Sequence, residues 1–340
     1  MKPPSLHRLA LAGALLAASI NAQAAETWVE TSVDHFYLHN PPYSMTGLFR
    51  SQGVASDGQQ WFFSWQYGLE RTDDAFASLQ RNSAIALPSL AITPGIPAAL
   101  VAQGLNHIGD IDYASGLIYA PIEDGGDFDG DGIKYEKPVI ALYNAADLSY
   151  TGAYYELPTT LNVNGTQENI LTAGVPWVAV DTARGVGYTA EWNNATRLNV
   201  FNLDNWSFQG FINLDQTLDR IQGAKVRGDA LYAAADNDTG SVYRISLLDG
   251  SVQEILQLAL PAGSQEMEGL AFRDTPDGAS LHVLHINDPL NADTSLSSTS
   301  INVALHHYKL VSAVPEPETY ALMLAGLGLV GFMARRRKTA

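Results

Sequence analysis

Three aspartates stand at alternating positions in the stretch EDGGDFDGDGIKYEKP: Asp127, Asp129 and Asp131, followed at once by Gly132. Hard carboxylate oxygens at i, i+2 and i+4 can fold around one calcium ion, and the glycine permits the sharp turn that such a loop needs. A complete loop of this kind has a bidentate glutamate at its twelfth position, where this chain has Pro138. Glu136, two places earlier, or Glu123 and Asp124 upstream are the carboxylates available to replace it. Carboxylates this close repel one another unless a cation neutralises them, so the spacing predicts calcium here. A solvated acidic hairpin loop is the alternative.

A second set of residues emerges from comparing segments. QGVASDGQQWFFSW, HIGDIDYASGLIYAPIE, PWVAVDTARGVGYTAEWN, QGAKVRGDALYAAADN and EGLAFRDTPDGASLHVLHIND align with one another. Equivalent starting positions would place Gln52, His107, Trp177 (beside Pro176), Gln222 and Glu268 in one ring. Convergent polar groups at a concave mouth make a small-molecule site, and a glycine close behind most of them lets a backbone approach a ligand. The alternative is that these groups hydrogen-bond neighbouring backbone in a narrow, water-filled channel. Glu266, Asp110 and Asp112 add carboxylates nearby. No complete catalytic set is visible: G-x-S-x-G, P-loop and H-E-x-x-H patterns are absent, and without cysteine there is no thiol chemistry.

The elements that would position this ring are short strands. Each aligned segment reads as an alternating apolar strand, a turn containing glycine, and a second strand; Tyr119, Tyr188 and Tyr232 hold matching places in the second strand. KPVIALYNAADLSYTGAYYELP, TRLNVFNLDNWSFQGFINLD and GSVYRISLLDGSVQEILQLALP then add a further strand, turn and strand. Four strands in roughly 45 residues is the period of a propeller blade. The last unit lacks an outer strand, which TWVETSVDHFYL from the N-terminus would supply, leaving no open edge. The expected fold is therefore all-β, a single five-bladed β-propeller, with six blades as the alternative. Ala84 to Gln103, with three prolines, reads as the outer strand of the first blade plus a long crossing loop.

The chain divides as 1–24, 25–313 and 314–340. The central part holds 13 basic and 34 acidic side chains, about −21 in net charge. Phosphate would be repelled, so nucleic acid is not expected as a partner. Lacking cysteine, the body must be held by its hydrophobic core, which a length of about 290 residues allows. At the N-terminus Lys2 and Arg8 precede an apolar stretch from Leu9 to Ile20 and then Ala22-Gln23-Ala24, the pattern of a secretory signal peptide cleaved after Ala24.

At the other end, Pro315-Glu316-Pro317 precedes an apolar run from Tyr320 to Ala334 and the cluster Arg335, Arg336, Arg337 and Lys338. The run is shorter than the roughly 20 residues that span a bilayer comfortably, and the basic cluster favours the cytoplasmic side. These three parts in this order resemble the PEP-CTERM sorting signal of Gram-negative exported proteins. The resemblance implies export across the inner membrane and transient anchoring through 320–334. It also implies recognition at Pro-Glu-Pro by an exosortase-type membrane protease and delivery to the cell surface or extracellular matrix. Hydrophobic helices are expected at both ends.

The Glu268-Gly269-Leu270-Ala271 stretch, set in a propeller repeat, is similar to calcium-dependent propeller hydrolases of the phytase-like and lactonase types. That likeness implies calcium in the channel and a water assisted by Glu268 or His107. The ligand set of those enzymes does not map onto this chain, so the first expectation is an exported binding or structural module with an unnamed surface ligand, and a hydrolase is the alternative.

Overall fold

The computed structural model describes residues 26–39, 44–87, 89–126, 134–258, 265–275, 278–287, 301–311 and 326–327. Both terminal segments and the Asp127, Asp129 and Asp131 loop lie outside the described residues, apart from 326–327. Among the described residues no helix is long and apolar enough to cross a membrane.

Trp28–Leu310 forms one compact unit, and it is a five-bladed β-propeller. Blade one is Gly53–Ser56, Trp61–Trp65, Gly68–Thr72 and Ser78–Arg81. Blade two is Asp112–Ala114, Leu117–Glu123, Val139–Asn144 and Tyr150–Glu156, with His107–Ile108 pairing to the far end of its second strand. Blade three is Ala179–Asp181, Val186–Thr189, Ala195–Asn202 and Phe208–Leu218. Blade four is Ile221–Arg227, Ala230–Ala235, Ser241–Ser246 and Val252–Gln257. Blade five runs from Gln265–Thr275 through Gly278–Asn287 and Ile301–Val311, and its outer strand is the N-terminal Thr27–His39. Both ends of the chain thus build one blade and close the ring.

Local chemistry explains the repeat. Ser115 and Gly116, with φ of 52° and 82°, make the tight turn between the first two strands of blade two; two consecutive left-handed residues match the twist of a hairpin. The turn between third and fourth strands recurs in blades two, three and four. Leu148, Trp206 and Gly250 each adopt positive φ there, and each donates its amide to the carbonyl four residues back, Asn144, Asn202 and Ser246. A serine follows each, and its carbonyl accepts from that same Asn144, Asn202 or Ser246 amide. Asp147 and Asp249 fix the turn by accepting from the amide and hydroxyl of Ser149 and Ser251.

Five apolar clusters lie between successive blades. Phe62 and Ile118 pack blade one on two, Tyr119 and Phe201 two on three, and Trp177 and Leu231 three on four. Tyr232 and Leu281 pack four on five, and Phe63 and Leu284 pack five on one. Five interfaces for five blades leave no unpaired face.

One expectation is corrected. Ala84–Ala86 and Ala91–Thr93 pair only with each other, a short helix follows at Ala98–Val101, and the outer strand of blade one is the preceding Ser78–Arg81. All four residues of that strand are exposed, so it carries no apolar alternation to read.

Candidate functional site

The first strand of blade two is broken, and the break forms the centre of the molecule. His107–Ile108 and Asp112–Ala114 both pair with Leu117–Glu123, but between them the chain leaves its own blade. Asp110 instead makes a parallel bridge to Trp177: its amide donates to Pro176 O at 2.8 Å, and its carbonyl accepts from Val178 N at 3.2 Å. Its carboxylate accepts from Val54 N of blade one at 3.0 Å, and from Ala224 N and Lys225 Nζ of blade four at 3.2 and 2.5 Å. Asp110 is fully buried. Burial pushes its carboxyl up to about 7, against the pull of Lys225. Asp112, whose Oδ2 accepts from Val180 N, is pushed up to about 6 for the same reason.

The glycines near the ring positions serve this centre. A Cβ on Gly53 would come within 2.5 Å of Asp110 Cα, one on Gly269 within 2.7 Å of its Oδ1, and one on Gly223 within 2.6 Å of Gly269 Cα. They bring inner strands together around Asp110, where the sequence had suggested room for a ligand.

Above this plug opens a cavity of about 610 Å³ to which all five blades contribute, a volume within the range of small-molecule sites. Gln52, His107, Gln222 and Glu268 all line it. From blade three it is Pro176 that lines the cavity; Trp177 is fully buried in the core beside Tyr188 and Leu231. In an extended segment neighbouring side chains point to opposite faces, so one residue of offset exchanges wall for core.

Further wall residues come from the far ends of the second strands. Glu123 ends that strand in blade two and lies opposite His107, with His107 Nδ1 3.1 Å from its Oε1; its Oε2 accepts from Val175 N. Gln66 and Asp236 directly follow the second strands of blades one and four. The signal that identifies them is antiparallel pairing itself: the start of a first strand faces the end of a second. Asp236 accepts from Met267 N at 3.3 Å and faces Arg220 Nη2 at 3.5 Å, and burial raises it to about 6. Tyr135 and Trp192 add aromatic surface.

Glu266 and Glu268 meet on this wall. Glu268 is buried, and its carboxyl sits well above the usual carboxylate range because of burial, then the charge and hydrogen bond of Glu266. A carboxyl raised in this way holds its proton more readily, the property a general acid needs. Among the described residues, no three histidine, aspartate or glutamate side chains converge closely enough to hold a metal ion.

Comparison with known proteins identifies the C-terminus. Residues 313–338 match the PEP-CTERM protein-sorting motif. No curated protein matches the chain. Among solved structures, the hydrazine synthase of Kuenenia stuttgartiensis is similar at 13% identity and a TM-score of 0.36, over 76% of this chain and 62% of that one, less than two thirds of its length. The motif implies export and membrane-associated sorting by an exosortase in a Gram-negative bacterium.

Proposed function

We propose that this exported propeller works at the cell surface or in the extracellular matrix as a binding module, with the axial cavity above Asp110 as its ligand site. The supporting observation is convergence: all five blades bring side chains to one concave mouth. The C-terminal motif supports this reading through the export and membrane-associated sorting that it implies. Fractionation of cells carrying an internally tagged chain tests the destination; a cytoplasmic chain with both termini intact overturns it. Alanine at Pro315 and Pro317, or at Arg335, Arg336 and Arg337, is expected to abolish processing and leave a longer, membrane-held species on a blot.

The Glu266–Glu268 pair favours hydrolysis of a lactone or phosphoester as a second reading. For a lactone, Glu266 would take a proton from the attacking water while Glu268 protonates the departing ring oxygen as the acyl C–O bond breaks. A hydrolase panel decides between the two: turnover lost in Glu268→Ala supports catalysis, and full turnover in that variant rejects this pair.

A further inference from the structure

The hydrogen-bonding groups left open on the cavity wall define the chemistry of what fits there. Glu123 is satisfied by His107 and Val175, and Asp236 by Met267 and Arg220. Glu268 differs: it is 3% exposed and lines the cavity together with another acid, Glu266. The side-chain amides of Gln52, Gln66 and Gln222, all half-buried in the same wall, have no protein partner among the described residues. The wall thus presents a pair of carboxyls lacking a donor and three amides that can each both donate and accept.

We infer that the cavity binds an amino sugar, its ammonium at Glu266 and Glu268 and its hydroxyls on the glutamine amides; this rests on the channel-mouth reading above. An ammonium supplies the missing donors and offsets one of the two negative charges that the ionised pair would carry. Hydroxyl groups, donor and acceptor at once, match primary amides in either orientation. A bare metal ion fits less well, because among the described residues no three histidine, aspartate or glutamate side chains converge closely enough to hold one. The surrounding charge agrees: Glu123, Asp236, Glu266 and Glu268 outnumber Lys134 and Arg220 in the lining, which favours a cationic ligand over an anionic one.

The test uses the full-length chain in mild detergent at about pH 6, where such amines are charged. Calorimetric titration compares the β-1,4-linked glucosamine trimer with cellotriose, which has a hydroxyl in place of each amine, in chelator and in calcium. The amine is expected to bind about tenfold more tightly or better, the effect of one hydrogen bond to a charged group, and equally in both buffers. Glu266→Gln with Glu268→Gln should reduce that preference to near parity while the melting temperature confirms folding. Gln222→Trp, or Gln52→Trp if the first fails to fold, should block both sugars by filling the mouth.

Equal affinity for both sugars, lost on blocking, overturns the ammonium site and leaves the channel-mouth reading standing. Affinity that survives the blocking variants overturns both. A preference that needs calcium, or no binding of the amine at all, overturns the inference.

Discussion

Lys225 Nζ lies 2.5 Å from Asp110 Oδ2 at the point where inner strands meet on the axis, with side-chain exposures of 6% and 0%. The ammonium also donates to Ala224 O at 3.1 Å, and Asp110 ties blade two to blades one, three and four. Removing one partner of such a buried pair strands the other charge, at a cost of about 3–5 kcal/mol. Asp110→Ala and Lys225→Met are each expected to lower the urea midpoint by an amount in that range. Asp110→Asn combined with Lys225→Met should recover much of the loss, since no unpaired charge remains. Additive losses in the double variant would reject the pairing as the cause.

The axial glycines predict a second stability effect. Gly269→Ala would set a methyl 2.7 Å from Asp110 Oδ1 and 2.9 Å from Gly53 Cα. The buried Asp110 carboxylate and the Gly53–Val54 backbone cannot yield cheaply, so overpacking should cost about 1–3 kcal/mol or more. Gly53→Ala should behave likewise, whereas Leu248→Ser, at a highly exposed side chain, should leave the urea midpoint within about 0.5 kcal/mol of wild type.

Histidines of the closing blade predict acid lability. His282 Nδ1 lies 2.6 Å from His307 Nδ1, and His307 Nε2 lies 2.9 Å from Asp34 Oδ2 on the N-terminal strand. With His307 donating to Asp34, its Nδ1 accepts from His282, an arrangement that requires His307 to be neutral. Burial lowers His282 to about 3 and His285 to about 4, and also lowers His306 and His307. The folded state then binds fewer protons than the unfolded chain, so this stability is present above about pH 6.5 and is lost as pH falls toward 4 and below. His282→Leu is expected to flatten that acid limb in urea melts between pH 4 and 7.

Buried carboxyls act in the opposite sense. Asp236, raised to about 6, binds more protons folded than unfolded, so its contribution is present at acid pH and is lost as pH rises through about 6. Asp236→Asn should remove that part of the slope. Identical pH profiles for wild type and both variants would contradict both assignments.

Calcium at the Asp127–Asp131 loop remains a proposal from spacing alone. A ligand that binds only the folded state adds about 2.7 kcal/mol at a hundredfold excess over Kd. The chain is expected to melt higher in millimolar calcium than in chelator, with most of the difference lost in Asp129→Asn/Asp131→Asn and retained in Glu268→Gln. An unchanged wild-type melting curve would remove calcium from consideration.

What the sequence by itself determined is what short-range physics controls. Turn chemistry at Asp147-Leu148-Ser149 and Asp249-Gly250-Ser251, alternation within the inner strands and the unit spacing were enough for five blades and an N-terminal closing strand. The Pro-Glu-Pro, apolar and arginine order at 313–338 was likewise legible, because a linear signal is read as an extended pattern rather than through a fold. The exposed strand Ser78–Arg81 was not, since it buries nothing and leaves no periodicity. Only the tertiary structure decided that Pro176 rather than Trp177 faces the cavity, and that Gly53, Gly223 and Gly269 crowd Asp110 rather than a ligand. Only ring closure brings Asp110 and Lys225, 115 residues apart, into contact on the axis. Local periodicity records which face of a strand is buried, but it carries no information about which distant backbones converge there.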